Sequence, residues 1–411
     1  MEATIMNRYL LAGSAAVALV VGAGAANAQA KFDLKIGGDA YFEAGFVSQD
    51  NDTGLRSTEF ANRMRIVVQP VAKADNGLEY GARLRFRAAG SGTDNNVSAD
   101  RAFIYATGSF GSVRLGSTNE FNDDTAVSTP IDYLPLGLYD RVNSYIGATN
   151  GANTTINGRY AGADVGSNGG VAQTVTGNSL IWATLDPVGG NSTKVVYYSP
   201  RFSGLQLGAA YTPRKDSFYT DVNRVKNVTT AGAAASGAYQ DIFEIGANYN
   251  NTFDGVTVKA SAAYTGGTTS KSGLAADSFK NLSAWQAGAQ IGYAGFVLGG
   301  GYVNFGKSGQ NTRYTYTGDV SNWTVGVQYT TGPIVVGANY KHGEDPGSTS
   351  LPGKRKLDVY ELGAGYTVAP GLALQAQYDY FTAKSDKATT VTTGNDDDKG
   401  HVVILRSVLA F

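Results

Sequence analysis

The sequence predicts an all-β fold: a transmembrane antiparallel β-barrel of about sixteen strands, with a long inward-folded constriction loop after the fifth strand. Three observations lead there. Polar and apolar residues alternate with period two over segments longer than a globular strand usually is. A unit of strand, short turn and strand recurs with tyrosine at both ends, and short connections alternate with long ones along the chain.

Met1 to Ala30 comes first. Arg8 near its start, the apolar run Leu10 to Val21, the small residues Gly22 to Ala26 and the ending ANAQA read as a secretory signal peptide, cleaved after Ala28 or after Ala30. The apolar run is too short for a membrane helix. A start at Met6 would give a more ordinary basic region. The expected organisation is residues 1–30 removed, 31–411 as one barrel domain, and 117–191 as its constriction loop.

The exported chain has no cysteine, which excludes a disulfide scaffold, a thiolate metal site and a cysteine nucleophile together. It carries 54 Gly, 25 Tyr and 17 Phe against 3 Met and 3 Trp, and its mean hydropathy is slightly negative. No helical span is hidden in such a composition, and a β-rich chain is what remains. A formal charge of −1 argues against nucleic acid as a partner, because such proteins carry a basic excess.

From Phe32 the even positions are Phe32, Leu34, Ile36, Gly38, Ala40, Phe42, Ala44 and Phe46, while the odd ones include Asp33, Lys35, Asp39 and Glu43. This is a strand long enough to cross a bilayer obliquely. Next, NRMRIVVQPVAKADNGLEYGARLRFRA reads as two strands joined by a tight turn at Ala74-Asp75-Asn76-Gly77. Met64, Ile66, Val68, Leu78, Tyr80, Ala82, Leu84 and Phe86 fall on one face; Arg63, Arg65, Arg83, Arg85 and Arg87 fall on the other. An arginine facing lipid at the midplane costs about 2–4 kcal/mol, so the arginine face must look into water or protein.

A soluble sheet would explain that hairpin alone, and repetition decides against it. IGANYNNTFDGVTVKASAAY, AGAQIGYAGFVLGGGYVNF, TVGVQYTTGPIVVGANYKH and ELGAGYTVAPGLALQAQYDYF share one layout. Tyr249, Tyr293, Tyr329 and Tyr366 close the first strand of each pair, and Tyr264, Tyr302, Tyr340 and Tyr380 close the second at its far end. Two tyrosine belts result, matching the interfacial girdles of membrane barrels. Between them the outward set is apolar or small (Val256, Val258, Ala260, Ala262; Leu372, Leu374, Ala376) and the inward set polar or small (Thr257, Lys259, Ser261; Gln375, Gln377, Asp379).

Short turns fall at Asn76, Gly108 to Gly111, Pro200 to Gly204, Thr252 to Asp254, Ala294, Thr331 to Gly332 and Val368 to Pro370. Every other connection is longer, including Ser117 to Asn191 and His342 to Arg355, so all long loops share one end, as in outer-membrane barrels. The chain closes on HVVILRSVLAF, whose last strand must pair with the first because a barrel has no free edge.

With these residues in view, the chain resembles the general (diffusion) porins of Gram-negative outer membranes, of the alphaproteobacterial type. RAFIYATGSFGSVRLGS (Arg101 to Ser117), VVYYSPRFSGLQLGAAYT (Val195 to Thr212), ADNGLEYGARLRFR (Ala74 to Arg87) and the terminal Phe411 carry the resemblance, which spans the mature chain. It implies a homotrimer in outer-membrane lipid and lipopolysaccharide, passing small hydrophilic solutes and ions. It also implies wall arginines facing an acidic loop: Arg63, Arg65, Arg83, Arg85, Arg87 and Arg114 against Glu120, Asp123, Asp124 and Asp132. Three features depart from the family pattern. Ser117 stands where relatives often have Arg, PIDYLPLG (Pro130 to Gly137) replaces the usual PEFGG tip, and the loop is long. Arg101 has an ambiguous face and is left out of the lining set.

A barrel of this size leaves an aqueous channel, and wall charges set its preference. A solute-specific channel is the main alternative, for which Tyr133, Tyr139 and Tyr145 would supply an aromatic lining. A barrel hydrolase is a further alternative, but only His342 and His401 could serve as imidazole bases and neither sits in a serine motif. No cofactor is expected. Asp396, Asp397 and Asp398 form at most a weak divalent-cation candidate beside the simpler account of a charged loop tip.

Overall fold

The computed structural model describes residues 31–50, 52, 55–88, 97–130, 145, 148–149, 152–153, 185, 191–215, 218–222, 224, 239–269, 280–310, 318–347, 352–385 and 397–411. The chain divides into two units, Met1–Asp33 and Leu34–Phe411. The proposed signal segment lies outside the described residues. The second unit is one closed antiparallel barrel.

Its strands, in chain order, are β1 (Asp33–Gln49), β2 (Thr58–Lys73), β3 (Glu79–Ala88), β4 (Val97–Gly108), β5 (Gly111–Ser117), β6 (Thr193–Tyr198), β7 (Leu205–Arg214) and β8 (Gln240–Phe253). Then come β9 (Val256–Thr268), β10 (Leu282–Tyr293), β11 (Phe296–Gly306), β12 (Val320–Thr331), β13 (Ile334–Gly347), β14 (Pro352–Ala369), β15 (Leu372–Ser385) and β16 (Asp398–Ala410). Each pairs with its chain neighbours, and β16 returns to β1. The expected count of about sixteen is met. A five-residue helix, α1 (Phe121–Thr125), and a two-residue hairpin (Ala148–Thr149 with Ala152–Asn153) lie between β5 and β6.

The turns explain why the strands reverse where they do. Ser203-Gly204, Asp254-Gly255 and Ala294-Gly295 each hold two consecutive residues at positive φ, the mirror-image turn whose twist matches paired strands. At the arginine hairpin, Gly77 takes the positive φ, while the Ala74 N–H donates to the Leu78 carbonyl at 2.8 Å. At the other end the ladders outrun the sequence reading. β13 continues through His342 to Gly347 and β14 starts at Pro352, so much of the expected loop His342 to Arg355 is strand. Polar strands persist there because water satisfies their outer edges as well as a loop would.

Alternation sorts the faces as expected. Val325, Val327, Ile334, Leu362, Leu374 and Leu405 stand on the exposed exterior, and their neighbours Thr324, Gln328, Gln375 and Arg406 are buried inside. The arginine hairpin follows the same rule: Ile66 faces Phe86 and Val68 faces Leu84, while Arg65 faces Arg87 on the opposite side.

The seam joining the chain's two ends is fixed by charge as well as by backbone. Glu43 and Arg406 sit directly opposite on β1 and β16, both side chains fully buried, with Arg406 Nη2 donating to Glu43 Oε2 at 2.6 Å. The guanidinium also covers the Tyr41 ring at 4.1 Å. Removing one partner from a buried pair strands the other charge, at about 3–5 kcal/mol. Glu43→Ala is therefore expected to lower the urea midpoint of the folded barrel in micelles markedly, and Glu43→Ala with Arg406→Met to recover most of the loss; equal loss in both variants would show that the pair is not what holds the seam.

Candidate functional site: the inner wall and its loop

After β5 the chain turns inside the barrel and follows the inner wall. Lys194 on β6 donates to Glu120 Oε1 at 2.7 Å and to the Thr118 carbonyl at 2.9 Å. Glu244 on β8 accepts the Asn122 N–H at 2.9 Å and also the Asn122 side-chain amide. Asn248 Nδ2 donates to the Thr125 carbonyl at 2.9 Å. The Val127 N–H donates to Ser261 Oγ on β9 at 2.7 Å, and Gln290 Nε2 on β10 donates to the Ser128 carbonyl at 3.0 Å. Residues 118–130 are thus tied to strand after strand across β6 to β10.

Inward glycines make room for this path. A Cβ at Gly208 would lie 1.9 Å from the Phe121 ring, and one at Gly288 would lie 1.8 Å from the Val127 carbonyl oxygen. Phe121 fills the resulting slot with Val196, Tyr198 and Ala210. Further along, the Tyr145 ring lies against Gly45 of β1, and its hydroxyl donates to Glu43 Oε1 at 3.0 Å. Leu185 returns to β10, where its N–H donates to Gln286 Oε1 at 2.6 Å.

The arginines line the wall on β2, β3 and β5. Arg63 Nη2 and Arg65 Nε donate to the two oxygens of Asp39 on β1 at 2.9 and 2.8 Å. Arg85 grips Asp100 on β4 with two bonds, 2.6 and 2.8 Å, and Arg87 stands 3.9 Å from the same carboxylate. Planar guanidinium and carboxylate match in such a two-pronged pair. Arg114 contacts Asp124 and lies over the Tyr198 ring at 4.5 Å. Arg83 has no hydrogen bond or ion pair among the described residues.

Of the expected pairs between loop and wall, then, the structure brings Arg114 and Asp124 together. Glu120 is buried beside Lys194 instead, Asp123 is half-buried on α1, and Asp132, Tyr133 and Tyr139 lie outside the described residues. Sequence reasoning missed Asp39 and Asp100 as the partners of Arg63, Arg65 and Arg85. Asp39 belongs to the inward odd set of β1 and was legible from that. Asp100 was not: a register shift at Arg85 and Phe86 leaves it as the extra residue on β4 and turns it inward. The same bulge explains the ambiguous face of Arg101, which donates to the Asp100 carbonyl at 2.8 Å and to Asn191.

On the outward face at the short-turn end Tyr293 and Tyr366 are exposed and Tyr249 and Tyr329 half-buried, and Phe296 packs on Tyr329 at 4.3 Å. At the other rim Tyr264, Tyr302, Tyr340 and Tyr380 alternate with Trp285 and Trp323. Both histidines face outward there: His342 Nδ1 lies 2.7 Å from Asp358, and His401 Nδ1 2.7 Å from the Tyr378 hydroxyl. Asp398 faces inward and accepts from Gln49 at 3.3 Å; Asp396 lies outside the described residues, and no group of metal-binding side chains occurs among those described.

Comparison with known proteins gives a consistent result. The family model described as Gram-negative porin matches residues 15–386. A protein of Rickettsia conorii is 23% identical over 428 residues, covering 92% of this chain and 93% of its own; one of Rickettsia felis is 21% identical with the same coverage. Both are uncharacterised. Among solved structures, a mutant of the Rh. blastica porin aligns with a TM-score of 0.53 at 15% identity, over 92% of this chain and 100% of its own. An outer membrane protein of Vibrio cholerae, OmpT lacking loop L8, aligns with a TM-score of 0.56 at 14% identity, over 92% and 99%. At these identities the structures speak for the fold.

The glycine slots carry a test. Gly208→Val places methyl groups where Phe121 lies, so the segment is expected to leave the wall and narrow the lumen. Single-channel conductance should fall below wild type while far-UV circular dichroism stays unchanged; unaltered conductance would contradict the path described.

Proposed function

The chain belongs to the Gram-negative porin family, and from that premise we propose how its channel works. It is an outer-membrane barrel that conducts through its lumen. Solutes pass between the loop, held to β6 through β10, and the arginine-bearing wall of β2, β3 and β5. Small hydrophilic solutes and ions cross by passive diffusion, because inward guanidinium and carboxylate groups keep the lumen wet and disfavour apolar permeants.

The observation that carries this reading is the inward row of Arg63, Arg65, Arg83, Arg85 and Arg114 beside residues 118–130, which are held along β6 to β10. Most of these charges are neutralised locally by Asp39, Asp100 and Asp124. Arg83 is the exception, and its charge reaches the permeating ion. General diffusion is favoured over a solute-specific slide by Tyr145, whose ring and hydroxyl are occupied by Gly45 and Glu43.

Residues 1–30 act as the cleaved export signal, 117–191 as the constriction loop, and the barrel assembles as a homotrimer. A channel is favoured over a hydrolase, a reading supported by both imidazoles, His342 and His401, standing on the outward face. In planar bilayers the expected behaviour is an ohmic conductance without saturable block by a single sugar or peptide. Such a block would instead favour the solute-specific alternative. Arg83→Gln should move the reversal potential in a salt gradient toward cation preference, whereas Lys73→Gln at the short-turn rim should leave it unchanged. A null result for Arg83→Gln would remove that residue from the permeation path.

A further inference from the structure

We propose that the inner wall at the short-turn end of β9 to β12 carries a subsite for small hydroxylated carboxylates, with Lys259 holding the anionic end. The proposal rests on the reading of the chain as a channel and gives one class of permeant a resting place on its wall.

The register builds the site from neighbouring strands. Lys259 on β9 faces Gln290 on β10, and Thr257 faces Gly292; Gly292 faces Val297 on β11, and Val297 faces Gln328 on β12. These are inward positions, because Ser261, two residues on from Lys259, and Gln290 itself hold the loop at Val127 and Ser128. The row from β9 to β12 crosses three ladders, about 14 Å. Along it lies a cavity of about 380 Å³, bounded at the rim by Gly255 and the turn from Tyr293 to Phe296. Sites for small molecules run from about 300 to 1,000 Å³, so this one suits a compact solute.

Glycines keep the cavity open. A Cβ on Gly292 would meet nothing closer than 3.5 Å, and one on Gly255 nothing closer than 3.8 Å. Gly292 does not take a positive φ, so a larger side chain there enters the cavity without straining the backbone.

Lys259 supplies the charge. It has no hydrogen bond or ion pair among the described residues, and no carboxylate lines the cavity. The arginine wall differs, since Asp39 and Asp100 there hold Arg63, Arg65 and Arg85. The remaining polar groups are neutral. Gln290 donates its amide nitrogen to the Ser128 carbonyl, which leaves Oε1 to accept. Thr330 Oγ1 accepts from Gln328 Nε2 at 3.3 Å, which leaves its hydroxyl proton to donate. A halide would use the ammonium alone. A carboxylate that also carries hydroxyls pairs its charge with Lys259 and its hydroxyls with Gln290 and Thr330. A wall site of one sign concentrates such solutes without sealing the lumen.

The test uses saturation-transfer NMR from the barrel in micelles to glycerate, glycerol and propionate, with planar-bilayer conductance in KCl recorded for each variant. Wild type is expected to bind glycerate at least fivefold more tightly than either of the others. Lys259→Gln should weaken glycerate binding at least fivefold by removing the charge, and Gly292→Leu should do so by filling the cavity with the charge in place. Lys73→Gln, which removes a lysine from the same rim on β2, should bind as wild type does. Equal binding of glycerate and propionate would reduce Lys259 to a solvated charge and overturn the proposal, as would unchanged glycerate binding in Lys259→Gln or in Gly292→Leu. A wild-type barrel that conducts but shows no glycerate preference sinks the subsite and spares the channel. One that binds glycerate in the expected pattern and never conducts sustains the subsite and sinks the channel reading.

Discussion

Hydrocarbon offers no hydrogen-bond partners, so a strand-built chain crosses it only when every amide is paired with another strand and no edge remains. That single constraint sets the rest of the molecule. It forces β16 back onto β1, fixes an even alternation of short and long connections, and divides each strand into a face for lipid and a face for water. Once the division exists, side chains that could not survive outside, the arginines above all, define the lumen.

Most of this was legible in the sequence because it is periodic. Alternation in Phe32 to Phe46, the segregated arginines of the second hairpin, and tyrosines at fixed distances from short turns are local signals, readable without knowing which strands meet. What escaped depends on register between strands. Asp100 turns inward through a bulge; Glu43 and Arg406 are at opposite ends of the chain yet face each other; Lys194 and Glu244 meet the loop only when it is laid along the wall. Period two says which way a residue points and nothing about its neighbour two strands away.

The electrostatic design follows from these pairings. The resemblance implies a field between wall arginines and loop acids, and the structure places carboxylates on the wall itself, at Asp39 and Asp100, within reach of Arg63, Arg65 and Arg85. Charge there is largely balanced at its source. The loop contributes Asp124 to Arg114, and its other anchors, Glu120 with Lys194 and Asn122 with Glu244, hold it in place. Inward glycines at Gly208 and Gly288 let ring and backbone of residues 118–130 approach the wall closely, while Tyr145 further along reaches β1.

The central claim is that arginine-bearing positions look into water and their chain neighbours look into lipid. Because the chain has no cysteine, Arg83→Cys and Leu84→Cys each offer a single thiol to a charged, membrane-impermeant methanethiosulfonate reagent during bilayer recording. The account predicts a stepwise change in conductance for the first and none for the second. Reaction at Leu84→Cys with silence at Arg83→Cys would contradict it.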